Sequence, residues 1–314
     1  MVSVVLPVWN GERFLAQAID SVLGQTLTSF ELIVVDDGSS DGSLAIARAY
    51  AQHDPRVHVL RLGHGGLARA LNAGIETAHG RYLARMDADD VSRPHRLEQQ
   101  VAYLESHPAC VAVGSAIDVI DENGAYLGVK TFAATNEDIL AALINGSSSP
   151  LAHPTVMARR ETLLAAGGYH LHRYPSEDLD LWMKLSQFGE LANIAEPLLF
   201  YRRHPGAVSV RERDTQIAMS ALIVNEARHR RGLRPLRRRI LSTGTSHAAR
   251  YHFECARFAL MAGPRGAAFR HAGASIAFEP FWAEPYAALV ACALPRRTLK
   301  FMVQLRARLR SRRS

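Results

Sequence analysis

Several groups of residues in this sequence have the types and spacing to do chemistry. The first is Asp87-Ala88-Asp89-Asp90, three carboxylates within four positions, directly after the half-apolar run Tyr82 to Met86. Strand propensity falls sharply at Asp, so a strand is predicted to end at Met86 and present the acids at the carboxyl edge of a sheet. That edge is where ligands of open α/β sheets bind. Asp87 and Asp89, two residues apart in an extended turn, can point the same way. Clustered hard oxygen donors suit Mg2+ or Mn2+ carrying a diphosphate. A solvated acidic turn has the same composition, so the cluster alone defines no function.

A second acidic group, Asp36-Asp37-Gly38-Ser39-Ser40-Asp41-Gly42, follows the strand-like Glu31 to Val35. Carboxylates there can accept hydrogen bonds from nucleobase N–H groups or ribose hydroxyls, and Gly38 and Gly42 allow close backbone approach. Ser40 or Asp41 reads equally as a cap for the next helix. Upstream, Pro7 in Leu6-Pro7-Val8-Trp9-Asn10-Gly11-Glu12 has no N–H for a sheet ladder, which marks a strand end and leaves backbone groups for a ligand. Glu12 falls in the first turn of the following helix, where the helix dipole alone accounts for an acid. The same holds for Glu177, Asp178 and Asp180 after Ser176, a predicted N-cap. There is no Gly-x-Gly-x-x-Gly and no Gly-Lys-Ser/Thr, which argues against a dinucleotide fold and a P-loop.

The elements that must position these residues follow from periodicity. Val2 to Val8, Glu31 to Val35, Val57 to Leu62 and Tyr82 to Met86 read as strands. Phe14, Ala18, Val22, then Leu44, Ala47, Tyr50, then Leu67, Leu71, Ile75 recur at helical spacing between them. Such alternation predicts βαβ units and an α/β fold built on a mostly parallel sheet flanked by helices. After Pro108 the pattern becomes mixed: a strand Val111 to Ala116, an Asn123-Gly124 hairpin turn, and a helix Asn136 to Leu143 capped by Thr135 or Asn136. A loop Gly146 to Pro150 follows, then a helix whose face carries Leu181, Trp182, Leu185 and Phe188 and which ends at Gly189. Beyond His204 the chain reads as helical, Ala- and Arg-rich, with breaks near Gly263-Pro264 and Glu284-Pro285.

The chain has 314 residues, room for one large domain or two ordinary ones. Its net charge of +7 is concentrated in Arg228 to Arg239 and Arg296 to Arg313. No interleaved aromatics, zinc spacing or reading motif accompanies it, which argues against specific nucleic-acid binding. Thr298 to Arg313 has the pattern of a basic amphipathic helix, suited to an anionic membrane surface or to packing on the domain. No run approaches the roughly 18 to 20 apolar residues of a membrane span. The N-terminus lacks a signal pattern, so a cytoplasmic or peripheral protein on the cytoplasmic membrane face is expected. Cys110, Cys255 and Cys292 lack disulfide or zinc spacing and read as apolar fillers.

Taken together, Pro7 to Glu12, Asp36-Asp37-Gly38-Ser39, Gly65-Gly66 with Asn72-Ala73-Gly74, and Asp87-Ala88-Asp89 resemble the family 2 inverting glycosyltransferases with the GT-A fold. The resemblance continues through His153-Pro154-Thr155, Gly167-Gly168-Tyr169, Ser176 to Trp182 and Tyr201-Arg202-Arg203-His204, about two-thirds of the chain. It implies a GT-A nucleotide-sugar half over 1–110, an acceptor half over 111–204 and a basic helical extension over 205–314. In this reading Pro7, Val8, Glu12, Asp36 and Asp37 surround base and ribose. Asp87 lies by ribose and diphosphate, and Asp89 holds Mn2+ or Mg2+. Asp90 orders its loop.

By the same resemblance Asp178 is the catalytic base, with Glu177 supporting the acceptor. His204 is a weaker candidate for metal or diphosphate, Arg202 and Arg203 for diphosphate charge, and His153 and Trp182 for the acceptor site, Trp182 reading equally as core. The expected reaction moves a sugar from a nucleoside diphosphate, UDP foremost, to a hydroxyl of a glycan or lipid-linked acceptor. Two alternatives remain at this stage: a Mg2+-dependent phosphatase-like hydrolase with Asp87 as nucleophile, and a non-catalytic nucleotide- or glycan-binding module.

Overall fold

A computed structural model describes residues 1–146, 149–236 and 246–294, together with Thr298. The expected alternation takes the form β1 (Val2–Val8), α1 (Glu12–Leu23), β2 (Phe30–Asp36), α2 (Ser43–His53), β3 (Val57–Arg61), α3 (Leu67–Thr77), β4 (Tyr82–Arg85), β5 (Val91–Ser92) and α4 (Arg96–Ser106). Then come β6 (Cys110–Ile120), β7 (Tyr126–Lys130), α5 (Asn136–Asn145), a 3₁₀ turn at His153–Thr155, β8 (Met157–Arg159), α6 (Arg160–Ala165), α7 (Glu177–Leu185) and β9 (Glu190–Arg202). The remaining described elements are helices: α8 (Val208–Arg211), α9 (Arg213–Arg230), α10 (His247–Ala262), α11 (Arg265–Phe278) and α12 (Glu284–Cys292).

The sheet runs β3-β2-β1-β4-β8-β6-β9-β5, with β7 paired to β6. The first four strands are parallel, whereas β8 is antiparallel to β4 and β6, and β5 to β9. Both β1 and β2 are buried at every position, as parallel strands covered on both faces must be. Chain order reverses between β1 and β4, so the loops after β1, β2 and β4 meet at a topological switch point. Pro7 is in register with Val35 of β2, but the pairing with β4 stops at Val5↔Arg85. The missing N–H therefore lies past the end of β4 and costs no ladder bond.

Local chemistry corrects several expected boundaries. β4 ends at Arg85, one residue before Met86, whose N–H still bonds to the Val5 carbonyl at 3.0 Å. Thr135 is the cap of α5, accepting the Asp138 N–H at 3.2 Å. Ser176 occupies the N-cap position of α7 without capping it. Its hydroxyl instead donates to the Gln216 carbonyl at 3.1 Å, an acceptor brought alongside by α9. α7 stops at Leu185 with Ser186 as C-cap, so Phe188 is an exposed residue beyond the helix and does not extend its apolar face.

Two compact units divide the chain without following its order. The first comprises Met1–Ile117, Thr131–Tyr201 and Glu212–Ile240, and the second Asp118–Lys130, Arg202–Arg211 and Leu241–Ser314. In the first unit the core joins Val5, Ile33 and Leu71 to Ile139, Leu143, Leu181 and Trp182, and to Ile223, Val224 and Ala227 of α9. Burial of Leu- and Ile-sized side chains at about 1.5–3 kcal/mol each makes this cluster the anchor for the loops at the sheet edge. In the second unit Ala256, Ala272 and Ala288 let α10, α11 and α12 approach closely, with Phe253 and Leu289 beside them. There Asp121 accepts from or faces His271 at 3.3 Å, and His271 meets His252 at 2.9 Å.

Cys110 and Cys255 are buried and Cys292 partly so, all three with free thiols. Among the described residues no helix is long and apolar enough to cross a membrane. Ser147 and Ser148 of the expected loop, and the basic segment Thr298 to Arg313 apart from Thr298, lie outside the described residues.

Candidate active site

The loops after β1 and β2 are laced together by side-chain caps. Asn10 and Gly11 N–H groups donate to Ser39 and Ser43 hydroxyls at 3.0 and 2.9 Å, and the Glu12 N–H donates to Asp41 at 3.0 Å. In return, Glu12 Oε2 accepts the Gly42 N–H at 2.7 Å, so one exposed carboxylate both starts α1 and caps the N-terminus of α2. Asp41 also accepts the Ser43 N–H at 3.0 Å, the structural role open to it from the sequence.

Asp36 ends β2 and Asp37 follows it, both buried. Asp36 Oδ1 accepts the Ser39 N–H at 3.2 Å. Asp37 takes the Gly65 and Gly66 N–H groups on its two oxygens at 2.9 and 2.8 Å, and His64 Nδ1 lies 3.0 Å from it. Gly66, at φ 90°, has a conformation that a side chain would strain. One carboxylate thus fixes the loop between β3 and α3. Next to it His64 stacks on Trp9, with ring centroids 4.4 Å apart and planes 21° apart, leaving Trp9 48% exposed. This aromatic plate beside Asp37 was not singled out from the sequence, although Trp9 falls inside the first motif.

At the end of β4, Asp87, Asp89 and Asp90 bring their carboxylate oxygens within 4.8 Å of one another. Asp90 is buried, while Asp87 and Asp89 keep solvent contact. Behind them sits Arg85, buried and ion-paired with Asp87, a partner that its residue type alone did not single out. Arg96 of α4, also buried, donates to the Arg85 carbonyl at 2.6 Å and to Gln100 at 3.1 Å. Gln100 in turn holds the Val113 and Thr155 carbonyls at 3.1 and 2.7 Å. Burial, with Arg85's charge adding to it, pulls the Arg96 guanidinium down to about 9. Burial raises the Asp87 carboxyl to about 6, against the pull of Arg85 and with help from the charges of Asp89 and Asp178.

The acid whose charge acts on Asp87 from afar in sequence, Asp178, belongs to the Glu177–Asp178 cluster. Asp178 lies in the first turn of α7, where its Oδ2 accepts from Ser149 at 3.3 Å and its Oδ1 from the Leu179 N–H at 2.7 Å. Burial raises its proton affinity, while the Leu179 N–H and the charge of Arg85 oppose that rise. Glu177 is buried, its Oε2 has no hydrogen-bond donor among the described residues, and burial followed by the charge of Asp178 lifts its carboxyl to about 7. Asp180 has a different fate: Lys184 binds it at 2.9 Å across one helical turn and Arg173 lies 3.7 Å away. It is a structural acid.

The remaining motifs support this wall. Asn72 donates to the Tyr169 carbonyl at 2.8 Å and accepts its N–H at 2.8 Å, tying α3 to the Gly167-Gly168-Tyr169 turn. The Tyr169 hydroxyl meets His153 Nε2 at 2.7 Å. Burial, then the nearby Arg85 charge, drives the His153 imidazole well below its usual range, so it is neutral. Trp182 packs its edge against His153 at 5.8 Å and is 1% exposed, a core residue. In the second unit, Arg203 pairs with Glu254, and Arg202 donates to the Asp121 and Glu122 carbonyls at 3.5 Å. His204 belongs to that unit as well.

A parallel βα sheet with acidic loops at its carboxyl edge, continued by antiparallel strands and an acid-bearing helix, is the architecture of the GT-A glycosyltransferases. Residues 3–165, just over half of the chain, match the family model for Glycosyl transferase family 2, and the chain belongs to this family. The amylovoran biosynthesis glycosyltransferase AmsE of Erwinia amylovora is 36% identical over 217 residues, 67% of this chain and 79% of AmsE. Staphylococcus aureus TarS 1-349 in complex with UDP-GlcNAc has a TM-score of 0.56 at 18% identity, over 97% of this chain and 91% of that one. The mannosyltransferase PcManGT from Pyrobaculum calidifontis, in complex with GDP-Man and Mn2+, has a TM-score of 0.53 at 19% identity, over 94% and 86%. At such identities the two structures establish the shared fold. The protein is a family 2 glycosyltransferase, which sets aside the hydrolase and the non-catalytic module.

Proposed function

We propose that the protein is an inverting transferase that moves a sugar from a nucleoside diphosphate, UDP foremost, to a hydroxyl of a glycan or lipid-linked acceptor in polysaccharide biosynthesis. The observation that carries this reading is the cluster of Asp87, Asp89 and Asp90 after β4, with carboxylate oxygens within 4.8 Å of one another, in a chain whose residues 3–165 match the family 2 glycosyltransferases. Single displacement requires an acceptor-side base opposite the donor-side acids, and Asp178, whose charge adds to the raised proton affinity of Asp87, is assigned to it.

The Trp9–His64 plate and Asp37 offer a face and an acceptor for a nucleobase. Pro7 and Val8 backbone, Asp36, Glu12 and Asp87 surround the expected ribose position. For the metal, the donors fit: three hard carboxylates with oxygens within 4.8 Å of one another, two of them open to solvent. Asp89 with Asp87 would hold Mn2+ or Mg2+, which when bound neutralises charge developing on the departing diphosphate. His204 is assigned to the metal or diphosphate on motif grounds alone. The part AmsE has in amylovoran biosynthesis supports polysaccharide synthesis, and the nucleotide-sugar complexes of TarS and PcManGT support the donor class.

Asp178 takes the proton of the acceptor hydroxyl while that oxygen attacks the anomeric carbon. Glu177, whose Oε2 has no hydrogen-bond partner among the described residues, would support the acceptor, and neutral His153 is assigned to the acceptor side with it. Residues through His204 carry the transferase chemistry, and 205–314 form the extension, lending α9 to the first unit.

The test is a screen of sugar nucleotides with and without Mn2+, reading nucleoside diphosphate release. Asp178→Asn should lose turnover by orders of magnitude and keep metal-dependent donor binding. Unchanged turnover would remove Asp178 from the base role, and donor binding indifferent to chelator and to Asp89→Ala would remove the metal assignment.

A further inference from the structure

α7 carries Glu177 and Asp178 in its first turn, yet Ser176 gives that turn no side-chain cap. The segment entering the helix is held instead by α9, 40 residues further along the chain. Gln216 Nε2 donates to the Pro175 carbonyl at 3.0 Å, and the Gln216 carbonyl accepts the Ser176 hydroxyl at 3.1 Å. A hydroxyl has one proton to give, so at the 2.9 Å contact between Ser176 and Ser220 it is Ser220 that donates. Upstream, Arg173 places Nη1 and Nη2 on the two carboxylate oxygens of Glu226, at 3.1 and 2.7 Å. A two-point guanidinium–carboxylate pair fixes orientation as well as distance.

α9 is itself fixed. Gln216, Ser220, Ile223, Val224 and Ala227 fall on one helical stripe, and the last three are buried in the core of the first unit with Leu181 and Trp182 of α7. At the far end, Arg228 donates to the Ile144 carbonyl of α5 at 3.1 Å, and Asn225 exchanges hydrogen bonds with the Leu236 backbone at 2.7 and 3.2 Å. The same helix therefore packs against α7 and holds the chain that enters its first turn. A displacement of about 1 Å at a reacting group can lower turnover about a hundredfold, so the anchoring of that turn bears directly on the chemistry.

We propose that Gln216, Ser220 and Glu226 of α9 are positioning residues that hold Glu177 and Asp178 in place for the acceptor. The inference rests on Asp178 being the base of the proposed transfer. Its test uses the full chain carrying Gln216→Glu and Glu226→Gln together. Both substitutions keep the side chain's shape: the first removes the N–H that Pro175 accepts, and the second leaves Arg173 an uncharged partner. With the sugar nucleotide that wild type consumes in the screen, the double variant should lower kcat at least about tenfold. Donor KM and the calorimetric affinity for UDP with Mn2+ should stay at wild-type values, because the loops after β1, β2 and β4 make none of these contacts. Unchanged kcat would overturn the proposal. So would donor KM and UDP affinity that worsen in step with kcat, the mark of a general loss of fold. Asp178→Asn measured alongside separates the two readings. Wild-type turnover in Asp178→Asn would overturn the base assignment and this inference with it, whereas turnover lost there but kept in the double variant would overturn the role of α9 alone.

Discussion

Arg85, the last residue of β4, reaches from within the core to the carboxylate of Asp87, the first acid of the Asp-x-Asp turn. The pair places a fixed cation directly behind the candidate metal ligands, so the acid cluster is partly neutralised from the protein side.

Replacing that cation isolates its effect. Arg85→Met leaves a largely buried carboxylate without its partner and should cost about 3 kcal/mol, the low end for a broken buried pair because Asp87 keeps some solvent contact. With a folded-state value near 6, above that of the unfolded chain, Asp87 supports the fold when protonated and loses that contribution as pH rises through 6. The deficit of Arg85→Met should therefore grow between about pH 5 and about pH 8, because only the ionised carboxylate misses the guanidinium. Urea denaturation at both pH values checks this, and a pH-independent deficit counts against it.

The Glu177–Asp178 pair should govern the acid limb of activity. Burial raises both carboxyls, Glu177 to about 7, so the pair sheds its last proton close to neutrality. In the profile of kcat/KM, activity should rise with pH to a midpoint near 7, and Glu177→Gln should move that midpoint downward by removing one of two adjacent charges. Because both folded-state values exceed the unfolded ones, the pair's contribution to stability is complete at acid pH and declines as pH rises through about 7. A midpoint unmoved in Glu177→Gln would contradict the coupling.

Asn72 should behave as a joint between the two halves of the first unit. Its amide makes both bonds of a reciprocal pair with the Tyr169 backbone. Asn72→Ala should cost about 2–3 kcal/mol, two hydrogen bonds with one partly buried carbonyl left unmet. The same change should lower kcat, since Tyr169 orients His153. Thermal unfolding and steady-state kinetics on one preparation test both halves of the statement.

Asp37→Ala removes the acceptor for two glycine N–H groups at once. The expected cost is about 2 kcal/mol, with nucleoside diphosphate affinity weakened at least about tenfold. Asp37→Asn should recover part of the fold through one retained carbonyl acceptor. Calorimetric titration with UDP distinguishes these variants, and wild-type affinity in Asp37→Ala would remove Asp37 from nucleotide binding.

The parallel strands and their helices were legible because parallel sheet strands are continuous β-branched runs and the helices between them carry a 3.6-residue apolar period. Val2–Val8 matched at both ends. The Ser176 cap failed because of a neighbour distant in sequence, a carbonyl of α9, whereas Phe188 left the apolar face because α7 ends locally at Leu185. Arg85, Arg96 and His64 escaped notice for a similar reason. Each reads as an ordinary charged or polar residue until packing removes its water or sets it against a partner.

The sequence by itself determined that acids stand at the ends of β2 and β4 and at the start of α7, since these follow from strand endings, helix starts and residue type. Only the tertiary structure decided which acids also hold the fold together and which have their proton affinity raised. Glu12 and Asp41 cap helices, Asp180 is neutralised by Lys184, and Asp37 ties down a glycine loop. Asp87, Glu177 and Asp178 are left raised in proton affinity, Glu177 buried and the other two partly so. The division is physical: a carboxylate's chemistry depends on lost hydration and on the charges around it, and those are properties of the packed molecule.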